Sequence, residues 1–167
     1  MEPVVVEQVS RVDLPADKVW ARVTTPAGIR HELRPVLSMT MPPGLHGLGV
    51  ENAAARLGEP LGKAGLLLGG VLPVEYDDMR IVALEPGRRF HERSTMLLLS
   101  RWEHERTVTP VGTDACEVRE RLTSLPRALA GRPVVRRVVG WVVAALFAHR
   151  HRRLRAWASD GRARPDR

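Results

Sequence analysis

The stretch that most constrains this fold is the last long segment of the chain, from Pro133 to Trp157. Its apolar residues recur at spacings of three and four, the period of an α-helix, and Pro133 suits the first turn of a helix. The middle, Val138 to Ala148, is apolar on nearly every side. A helix of this kind has to be covered on several faces or to face a ligand. The rest of the chain must therefore supply a surface that wraps around it.

The residues before this helix mostly show the β-branched or alternating patterns of short strands. Two short helices, Ala16–Val23 and Ala27–Leu33, are expected after the first strand, because prolines bound both segments. Residues 44–65 lack a regular apolar periodicity, and we predict only a short helix there, around Val50–Leu57. The predicted strands are Val4–Leu14, Val36–Met41, Leu66–Val74 with a bulge at Gly69-Gly70, Met79–Leu84, Arg89–Leu98, Arg101–Thr109 after a Leu99-Ser100 turn, and Ala115–Thr123.

This order predicts an α+β fold in a single domain of residues 1–158, followed by a disordered basic tail at 159–167. A curved antiparallel sheet of about six to seven strands would wrap around the long C-terminal helix. Any space left between sheet and helix would form a pocket.

The net charge of +7 lies almost wholly at the end of the chain. From Arg127 onward there are eleven arginines against two aspartates, whereas the first 126 residues hold fifteen basic and seventeen acidic side chains. Because the first 126 residues are nearly neutral, no nucleic-acid partner is expected. The basic end is interpreted first as a solvated helix end. A binding patch for a membrane surface or a partner protein is the alternative.

Cys116 is the only cysteine, so no disulfide can form within the chain. The first ten residues do not resemble a secretory signal, and the longest apolar run, eleven residues, is short of the roughly twenty that span a bilayer. We therefore expect a cytoplasmic protein without a transmembrane segment. The six histidines have no recognised metal-ligand spacing, so neither a metal nor another cofactor is expected.

Five stretches of the sequence resemble the START-like, Bet v 1-like (SRPBCC) superfamily of helix-grip proteins, in particular a bacterial branch. They are LPADKVWARVTTPAGIRHEL (Leu14–Leu33), LLLGGVLPVEYDDM (Leu66–Met79), FHERSTM (Phe90–Met96), WEHERTV (Trp102–Val108) and LFAHRHRRL (Leu146–Leu154). The superfamily includes polyketide cyclases and lipid carriers. The resemblance implies a deep cavity between the curved sheet and the long helix that binds a small hydrophobic molecule. It brings no universal catalytic residue, and the length of Gly44–Gly65 departs from the common pattern.

Alternation along three strands predicts which side chains face the cavity. On the strand Arg101–Thr109, one face carries Trp102, His104, Arg106 and Val108. On Arg89–Leu98, one face carries Phe90, Glu92, Ser94, Met96 and Leu98, and on Ala115–Thr123 one face carries Val118, Glu120 and Leu122. The candidate ligand-binding residues are Glu92, Ser94, Met96, Trp102 and Glu120 on the sheet, with Val139, Val142, Val143 and Leu146 on the helix.

Three hypotheses for function follow. The first is a carrier of a lipid-like or polyketide-like molecule, in which Arg106 between Glu92 and Glu120 is only a buried ion pair. The second is a polyketide cyclase or aromatase, in which His104 is the general acid or base and Arg106 stabilises enolate charge. The third is a membrane-surface or partner-binding protein that uses the arginine-rich helix end. His31 and Glu32 are interpreted as helix surface, and Asp77-Asp78 as a turn.

Overall fold

The computed structural model describes residues 2–45, 50–128 and 132–163. Its strands are β1 (Val4–Val12), β2 (Leu37–Met39), β3 (Gly62–Leu68), β4 (Leu72–Met79), β5 (Ile81–Glu85), β6 (Arg89–Met96), β7 (Leu99–Pro110) and β8 (Cys116–Pro126). Its α-helices are α1 (Ala16–Val23), α2 (Pro26–Leu33) and α3 (Pro133–Ala163), and short 3₁₀ helices span Pro43–Leu45 and Val50–Arg56.

All strand pairings in the described residues are antiparallel, in the order β1-β8-β7-β6-β4-β3-β2, with β5 also paired to β6. The curved sheet grips α3, so the predicted α+β helix-grip architecture is confirmed. The register places Glu92 opposite His104, and Arg106 opposite Glu120. Directly opposed residues share a face of the sheet, which brings these four side chains together on the side toward α3.

The prediction of one bulged strand at Leu66–Val74 is wrong. Gly69 and Gly70 both have positive φ angles, 60° and 81°, and form the turn of a hairpin between β3 and β4. Two successive residues in this conformation are typical of tight hairpin turns, and glycine adopts it at little cost. Because β4 continues to Met79, Asp77 lies in a strand and not in the predicted turn.

The two short helices occur where the sequence predicts them. The side chain of Thr25 accepts a hydrogen bond of 3.1 Å from the backbone N–H of Gly28, which caps α2 at its first turn. A β-carbon on Gly28 would lie 1.8 Å from the carbonyl oxygen of Arg22, so only glycine allows this close approach between α1 and α2. The joint fixes which face of α2, including Glu32, points into the protein.

Helix α3 packs along the inner face of the sheet between two apolar clusters. One contains Leu154 and Ala158 with Trp20 of α1, and the other contains Val143 and Phe147 with Trp102 of β7. The helix ends later than predicted, because 159–163 continue it to Ala163. Residues 164–167 of the expected disordered tail lie outside the described residues, and the extent of the single domain stays a prediction.

The turn between β6 and β7 is also shifted from its predicted place. It contains Leu97 and Leu98, and β7 begins at Leu99, so the Leu99-Ser100 turn is wrong. The carboxylate of Glu75 accepts hydrogen bonds of 2.5 and 2.9 Å from the backbone N–H groups of Leu97 and Leu98. As a turn residue, Leu98 is 64% exposed and does not share the inward face of β6. In the described part of the chain, no helix is long and apolar enough to cross a membrane.

Candidate functional site

A cavity of about 100 Å³ lies between the sheet, α2 and α3. Its wall is mostly apolar: Val23, Pro26, Ile29, Leu33, Leu37, Met39, Met41, Leu45, Val50, Leu66, Met79, Ile81, Phe90, Met96, Trp102, Leu146 and Phe147. Thr24, Asp77, Glu92, His104 and Arg150 are its polar members. A concave apolar space with a few converging polar groups is the usual form of a small-molecule site.

Glu120 of β8 is the centre of a buried polar network beside this cavity. Its Oε1 atom accepts hydrogen bonds from Nε of Arg106 at 2.5 Å and from Nε2 of His104 at 3.0 Å. Its Oε2 atom lies 3.0 Å from Nε2 of His151 on α3. Burial opposes ionisation of Glu120, but Arg106 and Arg150 outweigh it and hold the pKa of this carboxyl well below its usual range. The network therefore ties α3 to the sheet through a buried carboxylate.

Glu32 of α2 joins the same network from the other side. Arg106 donates to both of its oxygens, from Nη1 at 3.1 Å and from Nη2 at 2.7 Å. Arg150 of α3 donates to Oε2 from Nε at 3.1 Å and from Nη2 at 2.8 Å. The two guanidinium groups overcome the effect of burial and lower the pKa of Glu32. Glu32 is 1% exposed, so its interpretation as helix surface is wrong.

Asp77 of β4 and Glu92 of β6 form the acidic part of the cavity wall. Ser94 donates a hydrogen bond of 2.8 Å to Oε1 of Glu92, and Nδ1 of His104 lies 3.8 Å from Oε2 of Glu92. Burial, the negative charge of Glu92 and a hydrogen bond shared with it raise the pKa of Asp77 well above its ordinary value. For Glu92, contacts with His104, Asp77 and Ser94 outweigh burial and lower the pKa. Within this pair, the surroundings therefore favour the proton on Asp77 over the proton on Glu92.

His104 is fixed where the cavity meets this network. Its ring packs edge-on against Phe90 and Phe147, with centroids 5.1 and 5.2 Å away. With Nε2 hydrogen-bonded to Glu120 and Nδ1 facing Glu92, the ring has a single orientation. His104 thus holds an imidazole ring at the cavity wall in a fixed position.

The inward faces of the three strands are largely as the alternation predicts, but only some of the candidate residues line the cavity. Glu92, Met96, Trp102, His104 and Leu146 do so. Ser94, Arg106, Glu120 and Val143 are buried outside the cavity lining, Val139 is partly buried in the second apolar cluster, and Val142 is 49% exposed. Arg106 meets Glu32 and Glu120, and not the predicted Glu92 and Glu120.

Among the charged residues of the cavity wall, Asp77 and Arg150 were not sequence candidates. Asp77 alternates with the apolar Met79, a signal that becomes visible only once Gly69-Gly70 is taken as a turn. Arg150 follows Leu146 and Phe147 by one turn of α3, so it lies on their inward face. The arginine-rich helix end is accordingly not a uniformly solvated surface, since Arg150 and His151 are buried and Arg153 donates to the carbonyl of His31.

The described residues contain no group of three or more histidine, cysteine or acidic side chains arranged to hold a metal ion. The clustered histidines and carboxylates instead bond to arginines and to one another.

Solved structures with the same fold belong to the START-like, Bet v 1-like class, as the sequence resemblance implies. They include the ZhuI aromatase/cyclase from Streptomyces sp. R1128, with a TM-score of 0.68 and 18% identity over 96% of this chain and 95% of that one. A START superfamily protein from Mycobacterium smegmatis has a TM-score of 0.65 and 11% identity, with coverage of 93% and 97%. Ara h 8.0201 has a TM-score of 0.64 and 12% identity, with coverage of 93% and 97%.

The chain belongs to the family described as a domain of unknown function, DUF8410, whose model matches residues 10–158. No curated protein matches the chain. At these identities the solved structures show the fold alone.

Proposed function

We propose that this protein binds a small, mostly apolar molecule in the cavity between the sheet and α3. The observation that carries the proposal is the cavity itself, whose wall is apolar except at five polar side chains. Transfer of apolar ligand surface from water to such a wall contributes roughly 25 cal/mol per Å². The helix-grip neighbours, among them an aromatase/cyclase, support a ligand-binding role.

The size of the cavity limits the ligand. An engineered apolar cavity of about 150 Å³ in another protein binds benzene, so about 100 Å³ corresponds to a single ring or a short branched chain held in the enclosed part. A lipid-like or polyketide-like molecule would place one such portion inside, and the rest would extend through the opening of the cavity.

Filling the cavity tests the proposal. Leu146 lines the cavity, whereas Val142, one turn earlier on the same helix, is 49% exposed and does not line it. We expect Leu146→Trp to abolish binding of propylbenzene and 4-propylphenol, measured by ligand-detected NMR, and Val142→Trp to leave it unchanged. Equal binding by both variants, with both folded by circular dichroism, would refute the cavity as the site. Native mass spectrometry of the purified protein would identify a molecule that is retained through purification.

The geometry of His104 favours a second candidate, acid–base catalysis of the aromatase/cyclase type. Its ring lies on the cavity wall, where a general acid or base would have to be, and two carboxylates hold it in place. Arg106 does not line the cavity and its Nε, Nη1 and Nη2 atoms already bond to Glu32 and Glu120, so this candidate rests on His104. His104→Ala distinguishes the two candidates, with the molecule retained through purification as the probe. If the protein is a carrier, the variant keeps its affinity for this molecule. If it is a cyclase, the variant binds the molecule but no longer converts it, as mass spectrometry after incubation would show.

A further inference from the structure

The cavity wall contains a buried hydrogen-bond acceptor without a partner. Among the described residues, three buried side-chain atoms have no hydrogen-bond partner: Oδ1 of Asp77, Nε of Arg136 and Nδ1 of His151. Only Asp77 of these three lines the cavity, and it is 3% exposed. A buried polar atom left unpaired costs free energy that a partner can recover. A ligand in the cavity is the available source of that partner.

The state of Asp77 defines what the partner must be. Burial and the neighbouring Glu92 raise the pKa of Asp77, which favours its protonated form. Oδ1 of Asp77 has no hydrogen-bond partner, and as a carboxyl oxygen it can accept a hydrogen bond. An acceptor in this position requires a donor, such as a hydroxyl group.

The charges around the cavity disfavour an anionic ligand. Asp77, Glu92, His104 and Arg150 are the titratable groups that line it. Arg150 donates to Glu32 from two nitrogens and stacks over the ring of Phe147 at 4.7 Å, so its charge is already matched. Glu92 is ionised beside Asp77, and its charge would repel a carboxylate placed against Oδ1.

We propose, building on the ligand-binding function above, that the cavity selects neutral apolar molecules carrying a hydroxyl donor, which Oδ1 of Asp77 accepts, over free carboxylic acids and over unsubstituted hydrocarbons. Such a molecule would be phenol-like, with its ring against the apolar wall and its hydroxyl toward β4.

Four matched probes test this selection: 4-propylphenol, its methyl ether 4-propylanisole, propylbenzene and 4-propylbenzoate. We expect the phenol to bind about tenfold more tightly than the ether and the hydrocarbon, as one buried hydrogen bond allows, and the benzoate to bind most weakly. Asp77→Ala should reduce the preference for the phenol over propylbenzene to within about twofold. Asp78→Ala, on the other face of the same strand, should keep it.

The possible results separate the two proposals. If propylbenzene binds the wild-type protein as tightly as 4-propylphenol, or if Asp77→Ala keeps the preference, the donor site is refuted while the binding function stands. If none of the four probes binds, the proposed function itself fails and this inference fails with it. Because the first comparison uses only the wild-type protein, the result does not depend on the folding of a variant.

Discussion

Replacing Glu32 with glutamine should destabilise the protein far more than the loss of one surface charge would. Glu32 is almost completely buried and accepts four hydrogen bonds from Arg106 and Arg150, which lie on β7 and α3. Glutamine keeps the shape but removes the charge and replaces one acceptor oxygen with an amide donor that faces a guanidinium group. Breaking a buried ion pair from one side typically costs about 3–5 kcal/mol.

The matched control is Glu59→Gln, since Glu59 forms an ion pair of 3.1 Å with Arg56 but both side chains are about half exposed. Pairs of this kind contribute at most about 1 kcal/mol. Urea unfolding followed by tryptophan fluorescence gives both free energies. In a domain of this size, 3–5 kcal/mol corresponds to a fall in Tm of roughly 6–20 °C. A Glu32→Gln protein within about 1 kcal/mol of Glu59→Gln would refute the reasoning.

A double variant distinguishes a coupled network from a local packing defect. If Glu32 and Arg150 stabilise the fold through each other, Glu32→Gln with Arg150→Met should cost less than the sum of the two single changes. Removing Arg150 takes away the charge that Glu32→Gln leaves uncompensated, since Arg106 stays paired with Glu120. Additive losses would show that the two residues act independently and that the ion pair is not the source of the stability.

Three further predictions concern pH and reactivity. Because the pKa of Asp77 is raised in the folded state, folding takes up a proton above about pH 4. The free energy of unfolding therefore falls by up to about 1.4 kcal/mol for each unit by which the pH rises. Asp77→Asn should therefore be more stable than wild type at pH 7, with a gain in urea midpoint that shrinks toward pH 4. The lowered pKa values of Glu32 and Glu120 affect stability in the opposite direction, so wild-type stability should fall as the pH drops below about 4.5. Circular dichroism measured against pH should show a smaller loss in Glu32→Gln. Burial raises the pKa of Cys116 to about 11, so its thiol should resist Ellman's reagent at pH 8 until urea unfolds the protein.

The features that depend on sequence periodicity could be predicted, because they are local. The spacing of apolar residues in α3 and the alternation along β6, β7 and β8 gave the correct inward side chains, including His104, Arg106 and Glu120. Each of these inferences needs only the geometry of one element.

The partners of those side chains could not be predicted in the same way. Arg106 meets Glu32 across 74 residues of sequence, and Arg150 meets Glu32 across 118. Periodicity determines the face on which a residue lies, but the partner depends on how α2 is placed against the sheet. That placement follows from the capping of α2 by Thr25 and from the close approach of Gly28 to α1. The apolar pattern of α2 does not predict either contact.

The two parts of the polar cluster contribute to the protein in different ways. Glu32, Arg106, Glu120 and Arg150 connect α2, the sheet and α3, and a change to any of them leaves an uncompensated charge in the interior. Asp77 and Glu92 lie on the neighbouring strands β4 and β6, Glu92 also faces His104 of β7, and Asp77 retains an unpaired acceptor on the cavity wall. Under the proposed selection, a side chain without an acceptor at position 77 would therefore alter what the cavity accepts while leaving the ion pairs of the fold intact. The cavity wall can thus diverge in selectivity at Asp77 without loss of the network that holds His104 in place.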